Sequence, residues 1–65
     1  MPPKVRELIR KLEGAGFVRK SGKGSHRKFL HAQVMRPVVL SGQLGDDALE
    51  YQVRSVEKAI QESQR

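Results

Sequence analysis

The chain has 65 residues, no cysteine and a formal net charge of +6 at pH 7, with an isoelectric point near 10.4. The lack of cysteine excludes a disulfide framework and a thiolate metal site, and two histidines alone make a poor zinc site, so we expect neither metal nor cofactor. The apolar runs are far shorter than the about 20 residues that cross a bilayer, so we expect no membrane association and a cytoplasmic location.

A first helix is predicted over residues 3–13. Apolar residues recur at the helical spacing i, i+3, i+4, i+7, and the intervening positions are charged, which is typical of an amphipathic helix. Pro3 suits the first turn, and Gly14 and Gly16 can end the helix in a left-handed cap. The predicted buried stripe is Val5, Leu8, Ile9 and Leu12.

A basic hairpin is predicted next, with strands over residues 17–20 and 26–31 and a glycine-rich turn over 21–25. A third strand is predicted from about Met35 to Leu40. Pro37 cannot donate to a strand ladder, so it indicates an edge strand or a bulge.

A flexible connection is predicted over residues 41–45, followed by a second helix that Asp46 or Asp47 caps. Tyr51 is expected in the core or at its border. The predicted buried stripe of this helix is Leu49, Val53, Val56 and Ile60.

These elements predict one α+β domain over residues 1–65 with the order α-β-β-β-α. Two amphipathic helices need a common surface on which to bury their stripes, and one face of a three-stranded antiparallel sheet provides it. The other face stays open, and we expect the cations of the hairpin to line it.

The cations are unevenly distributed, because no residue between Glu13 and Asp46 is acidic. Such a patch favours a phosphate-bearing partner over a merely solubilising role. His26 lies within this segment and is able to exchange a proton near neutral pH. The six cations of the segment are Arg19, Lys20, Lys23, Arg27, Lys28 and Arg36.

Three motifs resemble the HicA-type toxins of bacterial toxin–antitoxin pairs: residues 6–13 of the first helix, Gly16-Phe17, and residues 23–27 with the Gly-Ser-His triplet. The resemblance spans roughly residues 4–40. It implies a double-stranded-RNA-binding-like fold, ribonuclease activity towards mRNA, His26 as the catalytic residue and a HicB-type antitoxin as partner. The chain departs from many members after the third strand, where it has residues 42–47 and a longer final helix, so RNA contacts from that loop are not carried over.

The resulting hypothesis is a metal-independent endoribonuclease that acts alone as a monomer or is held in a complex with its antitoxin. His26 moves the proton while the RNA 2′-hydroxyl attacks the phosphorus. Two alternatives stay open: a non-catalytic RNA-binding module, and an inactive relative that binds only protein. His31 is assigned no role, although alternation places it on the face of Phe29, and the register around Leu30 stays open. The predicted RNA-binding residues are Arg19, Lys20, Lys23, Gly24, Ser25, Arg27 and Lys28.

Overall fold

A computed structural model describes residues 1–20 and 26–64 of the chain. This described part contains α1 (Val5–Gly14), β1 (Val18–Lys20), β2 (Arg27–His31), β3 (Val34–Leu40) and α2 (Glu50–Ser63), in that order. The strands form one antiparallel sheet with β2 at its centre. The predicted α+β class and element order are confirmed, whereas the likeness to double-stranded-RNA-binding domains stays a prediction.

The core lies between one face of the sheet and the two helices. Phe29 of β2 and Leu40 of β3 are fully buried and pack in one cluster with the apolar stripe of α1. Val56 of α2 belongs to the same cluster. Both helices therefore cover the sheet face that carries Phe29, as the amphipathic patterns predict. The buried stripe of α1 is the predicted one: Val5, Leu8, Ile9 and Leu12.

Helix α1 begins at Val5, two residues later than predicted. Lys4 is the N-cap in an extended conformation, and its N–H donates to the Glu7 carboxylate at 3.1 Å. Pro3 lies outside the helix because its carbonyl accepts the N–H of Ala48 at 2.8 Å. A contact with a distant segment thus overrides the preference of proline for a first helical turn.

Helix α1 ends in a Schellman motif at Gly16, which has a φ of +96°. The N–H of Phe17 donates to the Leu12 carbonyl at 3.0 Å, and that of Gly16 donates to the Glu13 carbonyl at 3.1 Å. These bonds satisfy carbonyls that a helix end leaves without partners. They also turn the chain so that Phe17 enters the core immediately before β1.

Strand β3 is an edge strand, and its pairing with β2 is irregular between Phe29 and His31. Phe29 pairs with Val38 and His31 with Val34, so the single residue Leu30 lies opposite the three residues 35–37. Pro37 falls in this bulge. Pro37 therefore lies both on an edge strand and in a bulge. These are the two settings that the sequence indicated, because a residue without an N–H is tolerated there.

Helix α2 begins at Glu50, and neither Asp46 nor Asp47 caps it. The N-cap is Leu49, whose N–H donates to the side-chain oxygen of Gln52 at 2.9 Å. Asp46 instead accepts the N–H of Gln43 at 3.0 Å, and Asp47 pairs with Lys4 at 2.5 Å. The prediction was wrong because both carboxylates are engaged before the helix begins.

The buried stripe of α2 is shifted from the predicted one. Leu49 is 57% exposed because it precedes the helix, and Tyr51 is also exposed, so neither belongs to the core. Val53 and Ile60 are only partly buried. The buried positions of α2 are Gln52, Val56 and Ala59.

Residues 41–49, hereafter the β3–α2 connection, are more firmly held than the predicted flexible loop. The carbonyl of Asp46 accepts the N–H of Val5 at 2.9 Å, and that of Leu44 accepts the N–H of Arg6 at 3.2 Å. The connection thereby supplies partners for N–H groups of the first turn of α1. The β3–α2 connection therefore links the first turn of α1 to the start of α2.

Leu8→Ala should lower the free energy of unfolding by about 2–5 kcal/mol, because it empties a fully enclosed site between the helices and the sheet. Leu49→Ala removes the same atoms from an exposed position and should change stability by less than about 0.5 kcal/mol. Urea denaturation followed by circular dichroism measures both. Equal losses in the two variants would contradict this assignment of the core.

Candidate nucleic-acid interface

The two faces of the sheet differ in chemistry because cross-strand partners project to the same side. The face of Phe29 is covered by the helices, as its partner Val38 is also buried. The opposite face, hereafter the open face, faces away from the helical layer. The side chains that strand pairing assigns to it are Val18, Lys20, Lys28, Leu30 and Val39.

Two lysines lie side by side on the open face. Lys20 of β1 and Lys28 of β2 are direct cross-strand partners, and both are exposed. Within residues 1–20 and 26–64, neither forms an ion pair or a side-chain hydrogen bond. Like charges at directly opposed positions destabilise a strand pair, and a bound anion relieves that repulsion. The pair is therefore suited to hold a phosphate.

His26 immediately precedes β2, and its side chain is exposed. Carried back by one residue, the alternation of β2 assigns His26 to the open face with Lys28. No described residue forms a hydrogen bond or ion pair with the His26 ring. The imidazole is thus accessible to a substrate that approaches the lysine pair.

The remaining residues of the predicted RNA-binding set are distributed differently. Lys23, Gly24 and Ser25 lie outside the described residues, as does the rest of the predicted glycine-rich turn. Arg19 pairs with Phe29, which places it on the covered side of the sheet, although its own side chain is exposed. Of the predicted cations, the described open face thus brings together Lys20 and Lys28.

Arg27 does not line the open face. It pairs with the buried Leu40, and its Nη1 donates to the carbonyl oxygen of Gly42 at 2.8 Å. The sequence prediction grouped Arg27 with Lys28 because both are cations of one strand, whereas alternation sends neighbouring side chains to opposite faces. Arg27 instead ties the strand that follows His26 to the β3–α2 connection.

His31 has structural partners that the sequence prediction missed. Its ring packs against Phe17, with the ring centroids 4.9 Å apart, and its Nδ1 accepts the N–H of Gln33 at 3.0 Å. Its Nε2 lies so near Gly16 that a Cβ there would approach it to 3.3 Å. No sequence signal pointed to this contact, because the left-handed end of α1 already accounts for the glycine at position 16. The predicted placement of His31 on the face of Phe29 is confirmed by its pairing with the buried Val34.

The described residues contain no group of three His, Cys, Asp or Glu side chains that could hold a metal ion. None of the helices in the described part is long and apolar enough to cross a membrane.

Comparison with known proteins assigns the sequence to a family. The sequence model of the family described as the HicA toxin of bacterial toxin–antitoxin systems matches residues 5–61. This match covers both helices, except for the last residues of α2, and all three strands. No curated protein and no solved structure matches the chain.

Arg27→Gln should lower the free energy of unfolding by about 1.5–3 kcal/mol, because it removes a charged donor from a half-buried hydrogen bond. Arg19→Gln removes the same charge from an exposed position of the neighbouring strand and should change stability by less than about 0.5 kcal/mol. Thermal unfolding at equal salt compares them. If the two variants melted together, the Arg27–Gly42 contact would not contribute to stability.

Proposed function

The chain belongs to the HicA family of bacterial toxin–antitoxin toxins, and on that premise we propose that it is an endoribonuclease that cleaves mRNA and thereby arrests growth. The observation that carries the proposal is the exposed His26 immediately before β2, next to the open face that holds the Lys20–Lys28 pair. A proton-transfer group beside paired cations can assist cleavage of a phosphodiester, by moving the proton and by stabilising the charge that develops on the phosphoryl oxygens.

The proposed reaction is a transesterification that needs no metal ion. The RNA 2′-oxygen forms a bond to the adjacent phosphorus while the bond from phosphorus to the 5′-oxygen breaks. His26 accepts the proton of the 2′-hydroxyl, and the imidazolium so formed returns a proton to the leaving 5′-oxygen. The products are a 2′,3′-cyclic phosphate and a 5′-hydroxyl, and no oxidant or reductant takes part.

The lysines hold the substrate and stabilise the transition state. Charge on the phosphoryl oxygens increases as the pentacoordinate phosphorus forms, and fixed cations nearby lower the energy of that state. Lys28 follows His26 by two residues and belongs to β2, which begins directly after His26, so it is the described cation best placed for this role. Lys23, which lies outside the described residues, remains part of the proposed set.

A toxin of this family acts with an antitoxin, and we propose a HicB-type protein that covers the open face. Val18 and Val39 are 62% and 50% exposed there, beside the two lysines. A partner with apolar and acidic side chains would bury the valines and neutralise the lysines, so RNA could not reach His26. The proposed site of action is the cytoplasm, where the mRNA substrate is found.

His26→Ala should abolish RNA cleavage and growth inhibition, because the proton-transfer group is lost while the fixed cations remain. RNA affinity and circular dichroism should stay near those of the wild type. Wild-type cleavage should persist in EDTA and leave a 2′,3′-cyclic phosphate, which mass spectrometry of the products detects. Full cleavage by the variant would contradict the role of His26, and wild-type protein that binds RNA without cutting it would favour the non-catalytic alternative.

Lys20→Gln combined with Lys28→Gln should weaken binding of single-stranded RNA and make the slope of log K against log salt about 1.4 units shallower, at about 0.7 per lost phosphate contact. The matched control is Arg10→Gln with Lys11→Gln, which removes the same charge from the exposed surface of α1, across the sheet from the open face. Fluorescence anisotropy over a salt series gives both slopes. Identical slopes in the two double variants would place the RNA away from the open face.

A further inference from the structure

A shallow depression at one end of the sheet has no part in the proposed proton transfer. It lies where the open face meets the turn that follows α1 and the turn between β2 and β3. We call it the Gly16 depression, and it is lined by Gly16, Val18, Lys20, Leu30, His31 and Ala32.

The walls of the Gly16 depression are mainly apolar. Val18 and Leu30 are direct cross-strand partners on the open face, and they form a continuous aliphatic surface. Val18 stays 62% exposed and Leu30 is half-buried, so this surface is open to solvent. Gly16 contributes bare backbone, and its φ of +96° disfavours a side chain that would fill the space.

His31 presents one oriented hydrogen-bond donor at the Gly16 depression. Its Nδ1 accepts the N–H of Gln33, so the neutral ring carries its proton on Nε2. That Nε2 lies beside Gly16 and has no partner among the described residues. It is also not enclosed, because no buried side-chain nitrogen or oxygen in the described part lacks a hydrogen-bond partner.

The Gly16 depression is continuous with the lysine pair. Lys20 lines it and is at the same time the cross-strand partner of Lys28. A ligand that fills the depression therefore has an apolar portion with a hydrogen-bond acceptor on its edge and an anionic group next to it. A nucleotide has this chemistry, since its base offers flat apolar faces and edge acceptors, and its phosphate reaches the lysines.

We propose that the Gly16 depression binds a nucleobase of single-stranded RNA, with the Nε2–H of His31 donating to the edge of the base. The proposal rests on the proposed function and extends it by a substrate subsite. From His26 to Leu30 the chain advances four residues, or about 13 Å at about 3.3 Å per residue in a strand. The bound base therefore belongs to a nucleotide that flanks the cleaved phosphodiester, and it positions the strand rather than taking part in the reaction.

The test uses two ligands with the same number of phosphates: a 2′-O-methyl RNA hexamer, which lacks the attacking hydroxyl, and an abasic hexamer without bases. Wild-type protein should bind the RNA hexamer about three- to tenfold more tightly, because only this ligand buries apolar surface against Val18 and Leu30. In nuclear magnetic resonance titrations, the amide signals of Gly16 and Ala32 should shift with the RNA hexamer alone.

Val18→Asn should remove most of that preference, whereas Val39→Asn should keep it. The control is closely matched because Val39 is a half-exposed valine on the same open face, next to Lys28 but outside the Gly16 depression. Both sites are exposed, so both variants should fold, and melting curves check this. A preference that disappears only in Val18→Asn supports the proposal.

Equal affinity of the wild type for the two hexamers would overturn the nucleobase subsite but leave the proposed cleavage intact, because the lysines would still bind phosphate. Failure to bind either hexamer would overturn both proposals. A Val18→Asn variant that bound RNA like the wild type but lost affinity for the antitoxin would overturn the subsite and assign the Gly16 depression to the protein partner.

Discussion

The hydrogen bonds between the β3–α2 connection and the first turn of α1 are the constraint on which the rest of the structure depends. A helix N-terminus exposes N–H groups that need partners, and here the carbonyls of Leu44 and Asp46 supply them. The same connection accepts a bond from Arg27 of β2 and, through the Ser41 carbonyl, one from the buried Gln52 of α2. A nine-residue segment thus joins both helices and the central strand. In a domain this small, where apolar burial is limited, the net contribution of about 0.5–1.5 kcal/mol from each hydrogen bond is significant against a small total stability.

The two faces of the sheet therefore have different roles: the covered face stabilises the fold, and the open face is available for binding. The covered face contains the aliphatic and aromatic core, so the open face is not needed for packing and can hold two opposed lysines whose repulsion costs some stability. Arg27 lies between His26 and Lys28 in sequence but belongs to the covered face, where it anchors the strand to the β3–α2 connection. The proposed catalytic residue therefore adjoins a firmly held strand while its ring stays accessible. A proton-transfer residue has to be accessible to the substrate and held in position by the structure around it.

The proposed chemistry relies more on position and charge than on several proton-transfer groups. His31 packs against Phe17 and Gly16 and its Nδ1 accepts a hydrogen bond, so the role proposed for it is binding, and proton transfer is proposed for His26 alone. One histidine and a small set of cations predict modest rate enhancement, which is compatible with the proposed growth arrest. The proposed antitoxin, by covering the open face, would both neutralise its lysines and block access of RNA to His26.

The sequence by itself determined the element order, the stripe of α1, the left-handed end of that helix at Gly16 and the edge or bulge setting of Pro37, because these follow from local periodicity and backbone chemistry. It also determined His26 as the candidate catalytic residue, through the motif that surrounds it. Only the tertiary structure decided that Asp47 pairs with Lys4 and does not cap α2, that Gln52 is buried while Leu49 is exposed, and that Arg27 bonds to the Gly42 carbonyl. Each of these depends on a partner far along the chain or on the strand register. Local propensity carries no information on either, since the energy of such contacts exists only once distant residues meet.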